Sequence, residues 1–175
     1  MPGTHDTLGP TTMLPLTCTG RERAAMLQRD YRFASLALHE LGSGEIDTLA
    51  RYVETYRAPR GAVVFREGAS EDYMCLVVEG EVVVRKEDAA STARVLAHFG
   101  PGKSFGEMAL VDAEPRSATV VATADTKLIV LSRAALERLA DEHPRLGVKL
   151  LRALTRLLSR RLRETSGRLV DFLPA

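Results

Sequence analysis

Cysteine is scarce in this 175-residue chain: Cys18 and Cys75 stand far apart, in dissimilar surroundings. Two such residues make no disulfide framework and fit no metal spacing. Cys75, inside an apolar run, reads as a small core residue. Histidine is equally sparse. His5, His39, His98 and His143 are scattered, with no H-x-H pair, which argues against the clustered ligands of a metal-dependent enzyme on a cupin-type roll. No apolar run is long enough to cross a bilayer, so no membrane span is expected. The N-terminus lacks a basic region followed by an apolar stretch, so no secretion signal is expected and the cytoplasm is the expected location. Net charge is nearly absent too: 24 Lys+Arg against 23 Asp+Glu leave +1, and bulk electrostatics select no partner.

What is present suffices for one ordinary core, with 45% of residues hydrophobic. Residues 1–19 are rich in Pro, Thr and Gly, lack periodicity and read as a loose tail. Residues 20–175 read as a single domain in three parts: helices over 20–56, a β-roll over 57–132 and helices again over 133–172. Helical spacing runs from Arg21 to Leu41, where Gly42 ends it, and Ser43 can cap a second helix from Gly44 to Tyr56, stopped before Pro59. Short segments rich in Val or Leu follow at Ala62–Phe65, Met74–Glu79, Glu81–Arg85, Val95–Phe99, Ala118–Ala122 and Lys127–Leu131, with glycines between them. Many short strands at such spacing predict a sandwich, jelly roll or barrel. From Arg133 the helical period returns, and Pro144 opens a long helix reaching about Phe172. The fold class expected is α+β, mainly β.

Candidate chemistry is concentrated between Phe105 and Val120. F-G-E-M-A-L (105–110) reads as a short helix after the glycine-rich turn G-P-G-K-S (100–104). A helix start presents free N–H groups that suit an anionic oxygen, and Gly106, without a Cβ, lets a ligand approach the backbone. Arg116 follows ten residues later. Its guanidinium can fork two hydrogen bonds onto a phosphate. Ser117 adds a hydroxyl. Glu107 adds a carboxylate that accepts from sugar hydroxyls and repels phosphate. The set suits one phosphate beside a ribose, although each residue taken singly also reads as an ordinary surface charge. G-P-G-K-S is similar to the end of a nucleotide-triphosphate loop, but the required first glycine is Ala97 and no long helix follows.

F-G-E-M-A-L followed by P-R-S-A-T-V (115–120) resembles the phosphate-binding cassette of the cyclic-nucleotide-binding domain family. G-A-V-V-F-R-E-G (61–68), V-E-G-E-V-V-V (78–84) and F-G-P-G-K-S-F-G-E (99–107) match that family's glycine-punctuated strands in order. The resemblance covers roughly residues 36–172 and implies a β-roll, no catalytic residues and a cyclic nucleotide as ligand. It implies that Phe105, Gly106, Glu107, Met108, Ala109, Arg116, Ser117 and Ala118 bind it. Glu107 would take the ribose 2′-hydroxyl, Arg116 the equatorial phosphate oxygen, and backbone N–H groups near Gly106, Glu107 and Ala118 the rest of the phosphate. Ala69 and Lys103 stand where the family commonly has Asp. Serine after the arginine leans toward cyclic AMP; cyclic GMP and a cyclic dinucleotide are the alternatives.

On the helix after Pro144, Arg145, Lys149, Arg152, Arg156, Arg160 and Arg163 form a basic stripe, and Leu146, Leu150, Leu151, Leu154, Leu157, Leu158 and Leu162 the opposite arc. That arc is wide enough for both the roll and a second helix, and by resemblance to the catabolite activator type a homodimer through this helix is expected. Arg161 projects from the apolar arc and needs a partner there: it would stack on the base, reach an acid across the seam or extend to water. Thr165 and Ser166 resemble base-contacting residues, so Arg161, Thr165 and Ser166 are the candidate base contacts. The stripe would suit an acidic protein, nucleic acid or an anionic surface, or be merely solvated. The expectation is a sensor that relays binding through this helix to a separate effector protein. The alternative is a catabolite-activator-type transcription regulator, which is less expected because no helix-turn-helix follows before Ala175.

Overall fold

The computed structural model describes residues 13–29, 40–87 and 92–170. In chain order the elements are β1 (Leu14–Pro15), α1 (Gly20–Arg29), α2 (Ser43–Leu49), β2 (Glu54–Ala58), β3 (Val63–Phe65), β4 (Tyr73–Glu79), β5 (Val82–Glu87), β6 (Ala93–Phe99), β7 (Ser104–Phe105), α3 (Met108–Val111), β8 (Thr119–Ala122), β9 (Thr126–Ser132), α4 (Arg133–Glu142) and α5 (Pro144–Val170). The strands form two sheets, β1-β2-β9-β4-β7 and β3-β8-β5-β6, and every pairing is antiparallel. The architecture is the mainly-β roll with flanking helices and a long terminal helix.

The central strands β4 and β9 explain the arrangement. Tyr73, Cys75 and Val77 of β4, with Leu128 and Val130 of β9, point into the roll beside Val64, Phe105 and Val120. Their neighbours Met74 and Leu76, with Ile129 and Leu131, lie in a second core against the helices. A strand buried on both faces shows a continuous apolar run, as Y-M-C-L-V-V does. α5 enters the second core through Leu146, Leu150, Leu154 and Leu157. Each such burial stabilises by roughly 1.5–3 kcal/mol. Gly147 lets α5 lie close to α4, since a Cβ there would stand 2.8 Å from both Cα and Cβ of Ala140.

Several boundaries differ from expectation. The second helix stops at Leu49, and Glu54–Ala58 is a strand paired with β9. Pairing wins there because only the small Thr55 and Ala58 are buried, which leaves no visible alternation. Gly42, not Ser43, is the N-cap, and its N–H donates to Glu45 Oε2 at 2.9 Å. The stretch read as loose includes a two-residue strand against β2 and a buried Met13, while residues 1–12 lie outside those described. The first helix is seen over Gly20–Arg29, begun by Thr19 and Glu22 capping each other's backbone. Its expected continuation over 30–39 is outside the described residues, as are 171–175 at the far end of α5.

Candidate functional site

The segment 105–109 leaves sheet one at β7 and turns at Gly106 (φ 78°) into α3. The segment 116–118 lies before β8, and two bonds tie it to the β3–β4 loop: Arg116 N–H donates to the Ala69 carbonyl and Gly68 N–H to the Arg116 carbonyl, both at 2.8 Å. The two segments meet around a cavity of about 340 Å³ lined by Phe105 through Ala109, Arg116 through Ala118, Arg161 and Thr165. Ser166 does not line it and is exposed. α3 is only four residues long rather than a helix from Phe105 onward. So short a helix offers unpaired N–H groups but little macrodipole, and the attraction for an anion falls mainly on Arg116.

Arg116 is 4% exposed. Nη1 donates to the Gly106 carbonyl at 3.1 Å and Nη2 to the Tyr73 carbonyl at 2.6 Å. The guanidinium carbon lies 3.9 Å from the Phe65 ring centroid and 4.6 Å from that of Tyr73, close enough for cation–π attraction. Among the described residues no carboxylate pairs with it, and Glu71 acts only through longer-range attraction. Nε is buried without a partner. Burial therefore pulls the guanidinium below its usual pKa. A buried cation with an unused donor is costly unless an anion reaches it.

Glu107 is 3% exposed, and its Oε2 is buried without a partner. Its Oε1 accepts from Arg161 Nη1, whose Nη2 donates to the Ser104 carbonyl. The Arg161 guanidinium carbon stands 5.2 Å from the Phe99 ring centroid. Arg161 thus finds its acid inside its own chain's pocket rather than across a seam. Sequence reasoning missed the aromatic wall residues Phe65 and Phe99, and Tyr73, whose ring flanks Arg116; they come from three separate strands and carry no local signal. It also missed Lys86, whose Nζ donates to the Ser117 carbonyl at 2.7 Å and to Glu67 at 2.8 Å.

A family profile described as the Cyclic nucleotide-binding domain matches residues 56–143, half of the chain. This chain belongs to the cyclic-nucleotide-binding domain family. It is 36% identical over 126 residues to the "Cyclic AMP receptor protein" of Thermus thermophilus, covering 72% of this chain and 56% of that one. It is 28% identical over 128 residues to a "CRP-like cAMP-activated global transcriptional regulator" of Mycobacterium tuberculosis, covering 73% and 55%. The chain therefore spans about half the length of these curated relatives. A crystal structure of a cyclic nucleotide-binding domain from Methylobacillus flagellatus superposes with a TM-score of 0.82 at 32% identity, covering 94% of this chain and 92% of that one.

The basic stripe on α5 is partly neutralised. Lys149 pairs with Glu45 at 2.7 Å and Arg156 with Glu40 at 2.5 Å. No helix among the described residues is long and apolar enough to cross a membrane. No cluster of His, Cys, Asp and Glu among them could hold a metal ion.

Proposed function

We propose that this chain is a non-catalytic, cytoplasmic sensor of cyclic AMP that relays binding through α5 to a separate effector protein. The observation that carries this reading is that the buried Arg116, with no carboxylate partner among the described residues, lines the same cavity as Glu107, whose Oε2 is buried and unpartnered. A phosphate would complete the guanidinium, and a ribose 2′-hydroxyl would donate to the carboxylate. Backbone N–H groups of Gly106, Glu107, Met108 and Ala118 would supply further donors, with Ala109 and Phe105 closing the floor. The volume, about 340 Å³, is near the lower end of small-ligand cavities, roughly 300–1,000 Å³. That favours a mononucleotide over a cyclic dinucleotide. Ser117 and the cyclic-AMP descriptions of two relatives favour adenine. Thr165, exposed at the rim of the cavity, is the candidate base contact, whereas Ser166 does not line the cavity.

The relay follows from α5 having two apolar faces. Leu146, Leu150, Leu154 and Leu157 face the molecule's own core, whereas Val148, Leu151, Leu162 and Leu169 are 46–69% exposed. Together with Thr155, Leu158 and Thr165, the exposed set repeats at alternating steps of three and four, the seam of a two-stranded coiled coil. A second copy in parallel register fits it, giving a homodimer with one nucleotide per chain. Light scattering should show that dimer in the native protein and a monomer in Leu162→Glu; an unchanged mass in the variant would remove this seam.

Calorimetric titration with cyclic AMP, cyclic GMP and 5′-AMP tests the ligand. The expected outcome is one cyclic AMP per chain, weaker cyclic GMP and far weaker 5′-AMP, whose phosphate carries an extra charge and an open ester. Equal affinity for 5′-AMP would show that the cavity does not select the cyclic ester.

A further inference from the structure

Lys86 stands outside the cavity, yet it grips a segment that lines it. Alternation along β5 puts Val82, Val84 and Lys86 on one face. Val82 and Val84 pack into the roll, and at Lys86 that face reaches the segment 116–118. Its Nζ donates to the Ser117 carbonyl at 2.7 Å and to Glu67 Oε1 at 2.8 Å. Glu67 is itself anchored, its N–H donating to Thr119 Oγ1 at 2.9 Å. The Ser117 carbonyl and the Ala118 N–H belong to one trans peptide and point in opposite directions. Ser117 and Ala118 line the cavity, and Lys86 does not. A grip on the carbonyl therefore directs the N–H away from Lys86. A cation on the carbonyl also polarises the peptide and strengthens its N–H as a donor. The charge of Lys86 is largely offset, because its hydrogen bond holds the Glu67 carboxyl below its ordinary pKa. Lys86 thus supplies direction rather than through-space attraction.

We propose that Lys86 is a positioning residue for phosphate recognition: it sets the 117–118 peptide so that the Ala118 N–H donates to the axial phosphate oxygen, leaving the equatorial one to Arg116. Arg116 does not depend on this grip. Its N–H and carbonyl are held by the 68–69 backbone, and its side chain by the Gly106 and Tyr73 carbonyls. Lys86 therefore governs one oxygen of the ligand and Arg116 the other. The inference rests on the phosphate lying between Arg116 and the Ala118 N–H.

The test titrates cyclic AMP and its two phosphorothioate diastereomers, with sulfur in place of the axial or the equatorial oxygen, into the native chain, Lys86→Met and Lys86→Arg. Sulfur accepts a hydrogen bond poorly, so the native protein should bind each diastereomer on the order of tenfold more weakly than cyclic AMP. The Lys86 side chain is 48% exposed, so Lys86→Met should weaken cyclic AMP only about threefold to tenfold. Its penalty for axial sulfur should shrink to within about threefold, while the penalty for equatorial sulfur stays as in the native protein. Lys86→Arg keeps a cation at the carbonyl and should restore part of the axial penalty. A merely structural lysine, or one acting by charge alone, would weaken all three ligands by the same factor. An axial penalty unchanged in Lys86→Met, or both penalties changed alike, overturns the positioning role and leaves the ligand assignment intact. If the native protein bound cyclic AMP no better than either diastereomer, the reading of the phosphate site would fail and this inference with it.

Discussion

Two arginines serve one cavity, and they are held in different ways. Arg116 is fixed by the roll: its main chain is tied to the β3–β4 loop, its side chain bonds two carbonyls, and two rings flank it. It has no carboxylate partner among the described residues. Arg161 comes from a helix whose far end is exposed, and it has a carboxylate, Glu107. The first is a preorganised charge with no carboxylate among the described residues; the second is a satisfied charge on the exposed outer half of α5. Such a division suits a sensor, because a ligand shifts a conformational equilibrium only through differential interaction with its states.

Removing the fixed charge is the harshest break of this comparison. Arg116→Leu should cost on the order of 3–5 kcal/mol in cyclic-AMP binding, the scale for stranding one member of a buried charge pair. Thermal unfolding of the ligand-free variant should change far less, because Arg116 leaves no carboxylate behind among the described residues, only the carbonyls of Gly106 and Tyr73. Calorimetry and a melting curve read the two effects separately, and loss of both together would mean Arg116 is structural.

Gly106→Ala attacks the same arginine through its frame. At φ +78° the new Cβ would sit 2.8 Å from Arg116 Nη1 and 3.0 Å from the Tyr73 carbonyl. A left-handed non-glycine residue costs about 1–3 kcal/mol. Weaker binding with a modest fall in melting temperature is expected from a titration and a melting curve.

The α5 side is sharpened by Gly147→Ala, whose Cβ would meet Ala140 at 2.8 Å and force α5 away from α4. Overpacking of this kind costs roughly 1–3 kcal/mol. Here hydrogen exchange along α5 should accelerate, while the Arg116 side of the pocket keeps its protection.

The smallest effect concerns pH. Lys149 and the Gly42 N–H hold the Glu45 carboxyl below its ordinary value. A depressed carboxylate pKa contributes stability that is full above the unfolded value, about 4.3, and is lost as pH falls through the folded value. Lys149→Met should therefore narrow the difference in melting temperature between neutral and acid pH only slightly, since the pair is part-exposed.

The legibility of the molecule divides along a similar line. The gathering of Phe105–Ala109 and Arg116–Ala118 around one cavity could be read because they lie within fourteen consecutive residues. Strands β4 and β9 could be read because burial on both faces leaves unbroken apolar runs. β2 could not, because its stability comes from pairing with β9 and its buried side chains are small. The stripe on α5 looked like one free basic face, yet Lys149 and Arg156 are met by Glu45 and Glu40, more than a hundred residues away in sequence. Arg161 was legible as a cation needing a partner. Glu107 as that partner was not, since only the folding-back of α5 brings the two together.

A crystal structure with cyclic AMP bound tests the central claim most directly. The account predicts a phosphate oxygen within hydrogen-bonding reach of Arg116 Nε and the 2′-hydroxyl on Glu107 Oε2. A nucleotide seated elsewhere, with Arg116 still bonded only to the carbonyls of Gly106 and Tyr73, would contradict it.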